Sequence, residues 1–225
     1  FNNVYTPASI KVGYSDDSIS KQSFINSTKI TVNPGYVPTT TGEHGQNDIA
    51  ILEVVGFDSA SNVSPILVYN GAIPVGQKLT ALGWSSTVRN NDPKSQPDVL
   101  RGVNLFVGDV EGCKTIDSNY ESSDGPLICT LNKYNSGNAT CAGNAGTAVV
   151  VTANNSSYLA GIASESGRLT DTTCGTADGY SLITHIAAQL DFIKSTTGIS
   201  ADYFTKSTLS SEAAKKPKSL SFWRY

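Results

Sequence analysis

Short β-type runs, separated by turn chemistry rather than by helices, constrain this chain more than any other feature. Residues 9–13, 29–32, 49–55, 79–82, 103–107, 149–152 and 159–163 are rich in Val, Ile, Leu and Thr. Such side chains suit a pleated, half-buried surface. Between the runs stand Asn33-Pro34-Gly35, Asn70-Gly71, residues 90–93 and Asp124-Gly125-Pro126. These residues supply fixed or left-handed backbone angles and mark turns. Strands at this spacing predict an all-β sandwich or barrel. One segment departs from the pattern. In residues 182–195, Ile183, Ile186, Ala187, Leu190 and Ile193 fall at helical spacing, and Gly198 follows. That spacing predicts a short amphipathic helix packed on the barrel.

Charge and length narrow the function classes. A chain of 225 residues has room for one large domain or two small ones. Its 16 basic and 19 acidic residues give a net charge of −3, so no nucleic-acid partner is expected. The longest apolar run, residues 147–152, is strand-sized, and no transmembrane segment is expected. There is no Cys-x-x-Cys, and His44 and His185 stand apart, so neither a metal nor another cofactor is expected. Four Cys in a chain rich in Ser, Thr, Asn and Gly fit two disulfides in a secreted, extracellular protein. Glycosylation acceptor patterns at Asn26, Asn62, Asn138, Asn154 and Asn155 point the same way. The chain starts at Phe1 and contains no Met, as expected of a processed product or a fragment. Composition shifts after residue 199. Residues 201–225 carry five basic and two acidic side chains and end in Phe222-Trp223-Arg224-Tyr225. A tail over 200–225, either mobile or docking onto a partner, a membrane surface or the domain itself, is therefore separated from a domain over 1–199.

Several motifs, in order, resemble the trypsin/chymotrypsin family of serine proteases. Asn47-Asp48-Ile49-Ala50-Ile51-Leu52 is similar to the segment whose Asp orients the catalytic His. Residues 79–84, LTALGW, are similar to a family strand ending in Gly-Trp. Residues 141–150, CAGNAGTAVV, resemble the loop that carries the nucleophile. Residues 159–164, LAGIAS, resemble the strand lining the specificity cleft, and residues 190–193, LDFI, the C-terminal helix. The resemblance covers about residues 1–197. It implies two six-stranded antiparallel β-barrels with the site in the groove between them, and a C-terminal α-helix. It also implies disulfides Cys113–Cys129 and Cys141–Cys174. The family's domain starts upstream of the residue matching Phe1, so the first barrel is expected to lack its N-terminal strands here. A second chain supplying that segment is one expected partner.

Against the family pattern the catalytic parts are degraded. Acyl transfer needs a nucleophile, a base and an orienter. Ala145 stands at the nucleophile position, and a methyl group cannot attack a carbonyl. The family's His lies before the residue matching Phe1, and neither His44 nor His185 is expected to replace it. Asp48 is left as a vestigial orienter with a structural role. Asn144 replaces the Asp that, in the family, pairs with the N-terminal ammonium after zymogen cleavage. An ammonium buried against a neutral amide would cost several kcal/mol. The amides of Gly143 and Ala145 are expected to survive only as an oxyanion-hole remnant. Among the specificity positions, Ala139 offers no acid, and Glu165-Ser166 replaces the Trp-Gly that follows the cleft serine, here Ser164. The expectation is a non-catalytic homologue that binds an extracellular protein or surface. Its candidate surface is Asn144, Glu165, Ser166, Arg168 and residues 169–178, with the tail as a second. The alternatives are an active trypsin-like endopeptidase hydrolysing peptide bonds, and a decayed fragment without selected function.

Overall fold

A computed structural model of the chain describes residues 5–39, 44–57, 63–84, 96–134, 138–141, 143–168, 175–205 and 220–223. Among the described residues, ten strands form two antiparallel sheets. The first contains β1 (Lys11–Tyr14), β2 (Ser23–Val32), β3 (Ala50–Val54) and the C-terminal β10 (Leu220–Trp223), in the order β1-β2-β3-β10. The second contains β4 (Lys78–Gly83), β5 (Arg101–Phe106), β6 (Leu127–Leu131), β7 (Ala148–Ala153), β8 (Ser156–Arg168) and β9 (Gly179–His185). Its order is β5-β4-β7-β8-β9-β6. A bridge from Val107 to Thr130, with the Gly108 amide on the Cys129 carbonyl at 2.9 Å, brings its two edge strands together. Closure of this kind removes exposed strand edges. The mostly β architecture with a C-terminal helix is the one the sequence motifs implied.

Side-chain alternation explains where the cores sit. Leu79, Leu105, Ile128, Val149, Val151 and Ile183 fill the six-stranded sheet. In β3, Leu52 and Val54 face one cluster with Val12. Ile51 faces another, built from Val68, Leu159, Ile162, Ile186, Ile193 and Phe204. This second cluster draws on both sheets and on the C-terminal helices. The turn between β7 and β8 is Asn154-Asn155, with φ of 49° and 60°, the left-handed pair that a two-residue hairpin requires. Cys113, at the end of α1 (Val110–Lys114), is bonded to Cys129 in β6.

The helix predicted over 182–195 begins later. Residues up to His185 belong to β9, Ile186–Gln189 form a 3-10 turn, and α2 spans Leu190–Thr197. Ile183 is buried on a strand, where an apolar residue reads the same as on a helix face in so short a run. The stop at Gly198 holds, with φ of 70° and its amide on the Lys194 carbonyl. After α3 (Ala201–Thr205), the tail residues 206–219 lie outside the described residues. The tail strand β10 pairs antiparallel with β3, from Leu220 opposite Glu53 to Trp223 opposite Ala50.

Candidate functional site

Asp48 sits at the entry to β3, between the two sheets, and is 1% exposed. Its approach is fixed by a tight turn in which Asn47 has φ of 53° and the Ile49 amide donates to the Asn47 carbonyl at 2.8 Å. Buried amides hold that turn. The Gln189 Nε2 donates to Asn47 Oδ1 at 2.9 Å, Asn33 Nδ2 donates to Gln189 Oε1 at 2.8 Å, and Asn47 Nδ2 donates to the Gly35 carbonyl at 2.9 Å. From the other sheet, Ser164 Oγ donates to Asp48 Oδ2 at 2.7 Å, and Thr184 Oγ1 donates to the Asp48 carbonyl at 3.1 Å. A buried carboxylate requires such donors.

Ser164 reaches Asp48 because β8 is irregular there. Ala163 opposes Ile183 and Glu165 opposes Leu182, which leaves Ser164 as the extra residue of a bulge. A bulge re-aims the side chain it carries. Ser164 is 5% exposed.

The loop carrying Ala145 docks on the same stretch of β8. The Gly146 amide donates to the Ala163 carbonyl and the Ala163 amide to the Thr147 carbonyl, both at 2.9 Å. Gly143 and Gly146 have φ of 90° and 86°, which a side chain would resist. Gly143 and Ala145 are exposed. Asn144 folds back into the loop. Its Oδ1 accepts from the Cys141 amide at 2.7 Å, and its own amide donates to the Cys141 carbonyl at 2.9 Å. Asp48, Ser164 and Ala145 are thus gathered around one segment of β8.

Neither histidine joins them. His185 closes β9 instead of lying in the helix, and its Nδ1 meets the Gly125 carbonyl at 2.9 Å. Burial lowers its pKa. His44 Nδ1 lies 2.6 Å from Glu165 Oε2, and its Nε2 lies 2.9 Å from the Ile116 carbonyl. Thr39 Oγ1 donates to the other Glu165 oxygen, and the Tyr180 ring stands edge-on to the imidazole at 5.7 Å. The hydrogen bond to Glu165 raises the His44 pKa, outweighing burial. Glu165 therefore engages residues of the segment before Asp48, not open solvent. Ser166 is half-buried and pairs with Ser181. Ala139 and Asn138 are half-buried too, and the next residue, Thr140, is pinned to Ser181 Oγ through its own Oγ1 at 2.8 Å.

Cys113–Cys129 is formed, and Cys141 is disulfide-bonded. Its expected partner Cys174 lies outside the described residues, as do residues 169–174 of the candidate rim and Asn62. Asn26 on β2 and Asn154 and Asn155 in their turn are exposed. Among the described residues, no helix is long and apolar enough to cross a membrane. Sequence reasoning missed Asn33, Thr184 and Gln189, and it missed the pairing of His44 with Glu165. The first three make hydrogen bonds between residues 136 to 156 apart in the chain, so no local pattern marks them.

The comparison with curated proteins returns no match. The family model described as Trypsin matches residues 3–193, which include Asp48, the Ala145 loop, Ser164 and Glu165. Over most of its length, including Asn33, Asp48, Ala145, Ser164, Thr184 and Gln189, the chain belongs to the trypsin family.

Proposed function

We propose that this chain is a secreted, non-catalytic member of the family that acts by binding an extracellular protein or surface. The observation that carries the reading is Ala145 at the nucleophile position, on a loop that Asn144 closes upon itself. The histidines add to it. The chain has two, and both are committed to carbonyls or to Glu165 rather than to Asp48. A triad needs the base held between orienter and nucleophile. With Ser164 and Thr184 as its donors, Asp48 acts as a structural tie between the sheets. Exposed Asn26, Asn154 and Asn155 are compatible with glycan attachment during secretion.

The test is a serine-directed fluorophosphonate probe applied to the natural secreted protein, beside active trypsin, with labelling read by intact mass. We expect no adduct on this protein and full labelling of the control. A stoichiometric adduct would make the protein a hydrolase and overturn the reading. The same spectrum reports glycan mass on the acceptor asparagines.

A further inference from the structure

Asn70-Gly71 is the only Asn-Gly in the sequence, and it lies in an exposed span pinned at both ends. Upstream, the Tyr69 amide donates to the Leu159 carbonyl at 2.9 Å, the Leu159 amide to the Leu67 carbonyl at 2.8 Å, and the Val68 amide to the Phe204 carbonyl at 2.7 Å. Downstream, Ile73 is 3% exposed in the core of the six-stranded sheet. Between these anchors Asn70, Gly71 and Ala72 are exposed. Among the described residues, neither the Asn70 side chain nor the Gly71 amide has a hydrogen-bond partner. Other turn asparagines are held. Asn33 Oδ1 accepts from the Gly35 amide, Asn47 Oδ1 from Gln189 Nε2, and Asn144 Oδ1 from the Cys141 amide. Asn33 is also followed by Pro34, which has no N–H.

We propose that Asn70 is a site of spontaneous covalent modification, where the folded chain converts it to aspartate and isoaspartate, and that the isoaspartate loosens the tie of residues 67–69 to β8 and α3. The Gly71 nitrogen gives up its proton and attacks Asn70 Cγ. A C–N bond forms, the bond from Cγ to the side-chain nitrogen breaks, and that nitrogen leaves as ammonia with the proton. The product is a cyclic imide. Water then opens it at one of its two carbonyls. Attack at Cγ gives aspartate, and attack at the former main-chain carbonyl gives isoaspartate. One water enters, one ammonia leaves, and nothing is oxidised or reduced. Glycine suits the attack because no Cβ crowds its nitrogen. A Cβ on Gly71 would lie 2.8 Å from Tyr69 Oη and 2.9 Å from its Cζ. Either product adds one negative charge to the net −3. Isoaspartate also routes the main chain through an extra methylene. In a span fixed at Tyr69 and Ile73, that added length strains the hydrogen bonds at the upstream anchor. The chemistry is independent of whether the groove is catalytic.

The experiment incubates the full chain, folded, at mildly acid and mildly alkaline pH. Intact mass and a peptide map follow it, with an isoaspartyl methyltransferase as the probe for isoaspartate. We expect a gain of one mass unit at residue 70, faster at alkaline pH because the deprotonated amide attacks, and ahead of Asn33, Asn47 and Asn144. Asn70→Gln keeps the carboxamide but needs a larger ring, and should stay unchanged. A gain at residue 70 seen only in the urea-unfolded chain would show that the fold protects the site and would overturn the proposal, as would no gain in either state. Asn70→Asp carries the new charge without the extra methylene and separates the two effects. The amides of Val68, Tyr69 and Leu159 should exchange hydrogen faster in the isoaspartate form than in Asn70→Asp. Equal exchange in the two would overturn the loosening.

Discussion

His44 faces an acceptor at each ring nitrogen, the Glu165 carboxylate on one side and the Ile116 carbonyl on the other. A neutral imidazole has one N–H and satisfies only one of them; the imidazolium satisfies both. Asp117 adds further negative potential, and Tyr180 packs on the ring. The folded-state pKa of His44 therefore lies above 6.5, its value in an unfolded chain. The pair's contribution to stability is complete below about pH 6.5 and declines as pH rises through the raised folded value. Replacing His44 by Gln should cost about 1–3 kcal/mol at pH 6 and much less at pH 9. Urea melts of both proteins at the two pH values check this, and an equal cost at both would remove the charged pair. A second residue-scale expectation concerns the loop opposite. Ala145→Ser in residues 1–225 should stay unlabelled by the fluorophosphonate probe, because neither His44 nor His185 adjoins Asp48 to take the proton. Labelling would show that a base is within reach.

At the scale of elements, β8 sets both the site and the packing. Its bulge turns Ser164 to Asp48, while Gly161, two residues before Ala163, passes close against β9. A methyl group built on Gly161 would lie 2.5 Å from the Thr184 carbonyl oxygen and 2.5 Å from Ile183 Cγ2. The first contact is backbone and cannot swing away, so Gly161→Ala should separate β8 from β9 and cost about 1–3 kcal/mol, as overpacking does. The Thr184–Asp48 hydrogen bond sits on the displaced strand. Hydrogen exchange should therefore show faster opening of β9 and of the turn at Asp48 together, and acceleration of β9 alone would mean that the Thr184–Asp48 hydrogen bond does not couple them. Much of this was legible in the sequence. Asp48 and Ser164 stand in recognisable motifs, and most strands are alternating or β-branched runs. β6 was not legible, because Leu127–Leu131 is buried at all five positions and shows no alternation. β9 was hidden by Ile183 and Ile186, whose spacing fits a helix as well as a strand that runs into a 3-10 turn. The His44–Glu165 pair joins residues 121 apart, and no local pattern encodes a contact that depends on the register of two sheets.

For the whole molecule, the question is whether two sheets behave as one body. The contacts around Asp48 exist only if they do, since Asp48 comes from one sheet and Ser164 and Thr184 from the other. The apolar cluster around Ile51 supplies the coupling. It combines Ile51 of β3, Leu159 and Ile162 of β8, Ile193 of α2 and Phe204 of α3, and Ile51 and Ile193 have no exposed surface. The backbone adds to it, with the Val68 amide on the Phe204 carbonyl at 2.7 Å. The helices after β9 thus act as a strap that returns the chain from the second sheet to the first. Truncating Ile51 to Ala leaves a cavity within this cluster and should cost about 2–5 kcal/mol. If the cluster makes the sheets one cooperative unit, the loss lowers a single calorimetric transition, and near-ultraviolet and far-ultraviolet dichroism move together. If the sheets are only neighbours, the first sheet melts ahead of the second and the transition splits. A split would mean that the Asp48 hydrogen bonds to Ser164 and Thr184, and not the apolar cluster, are what join the two sheets.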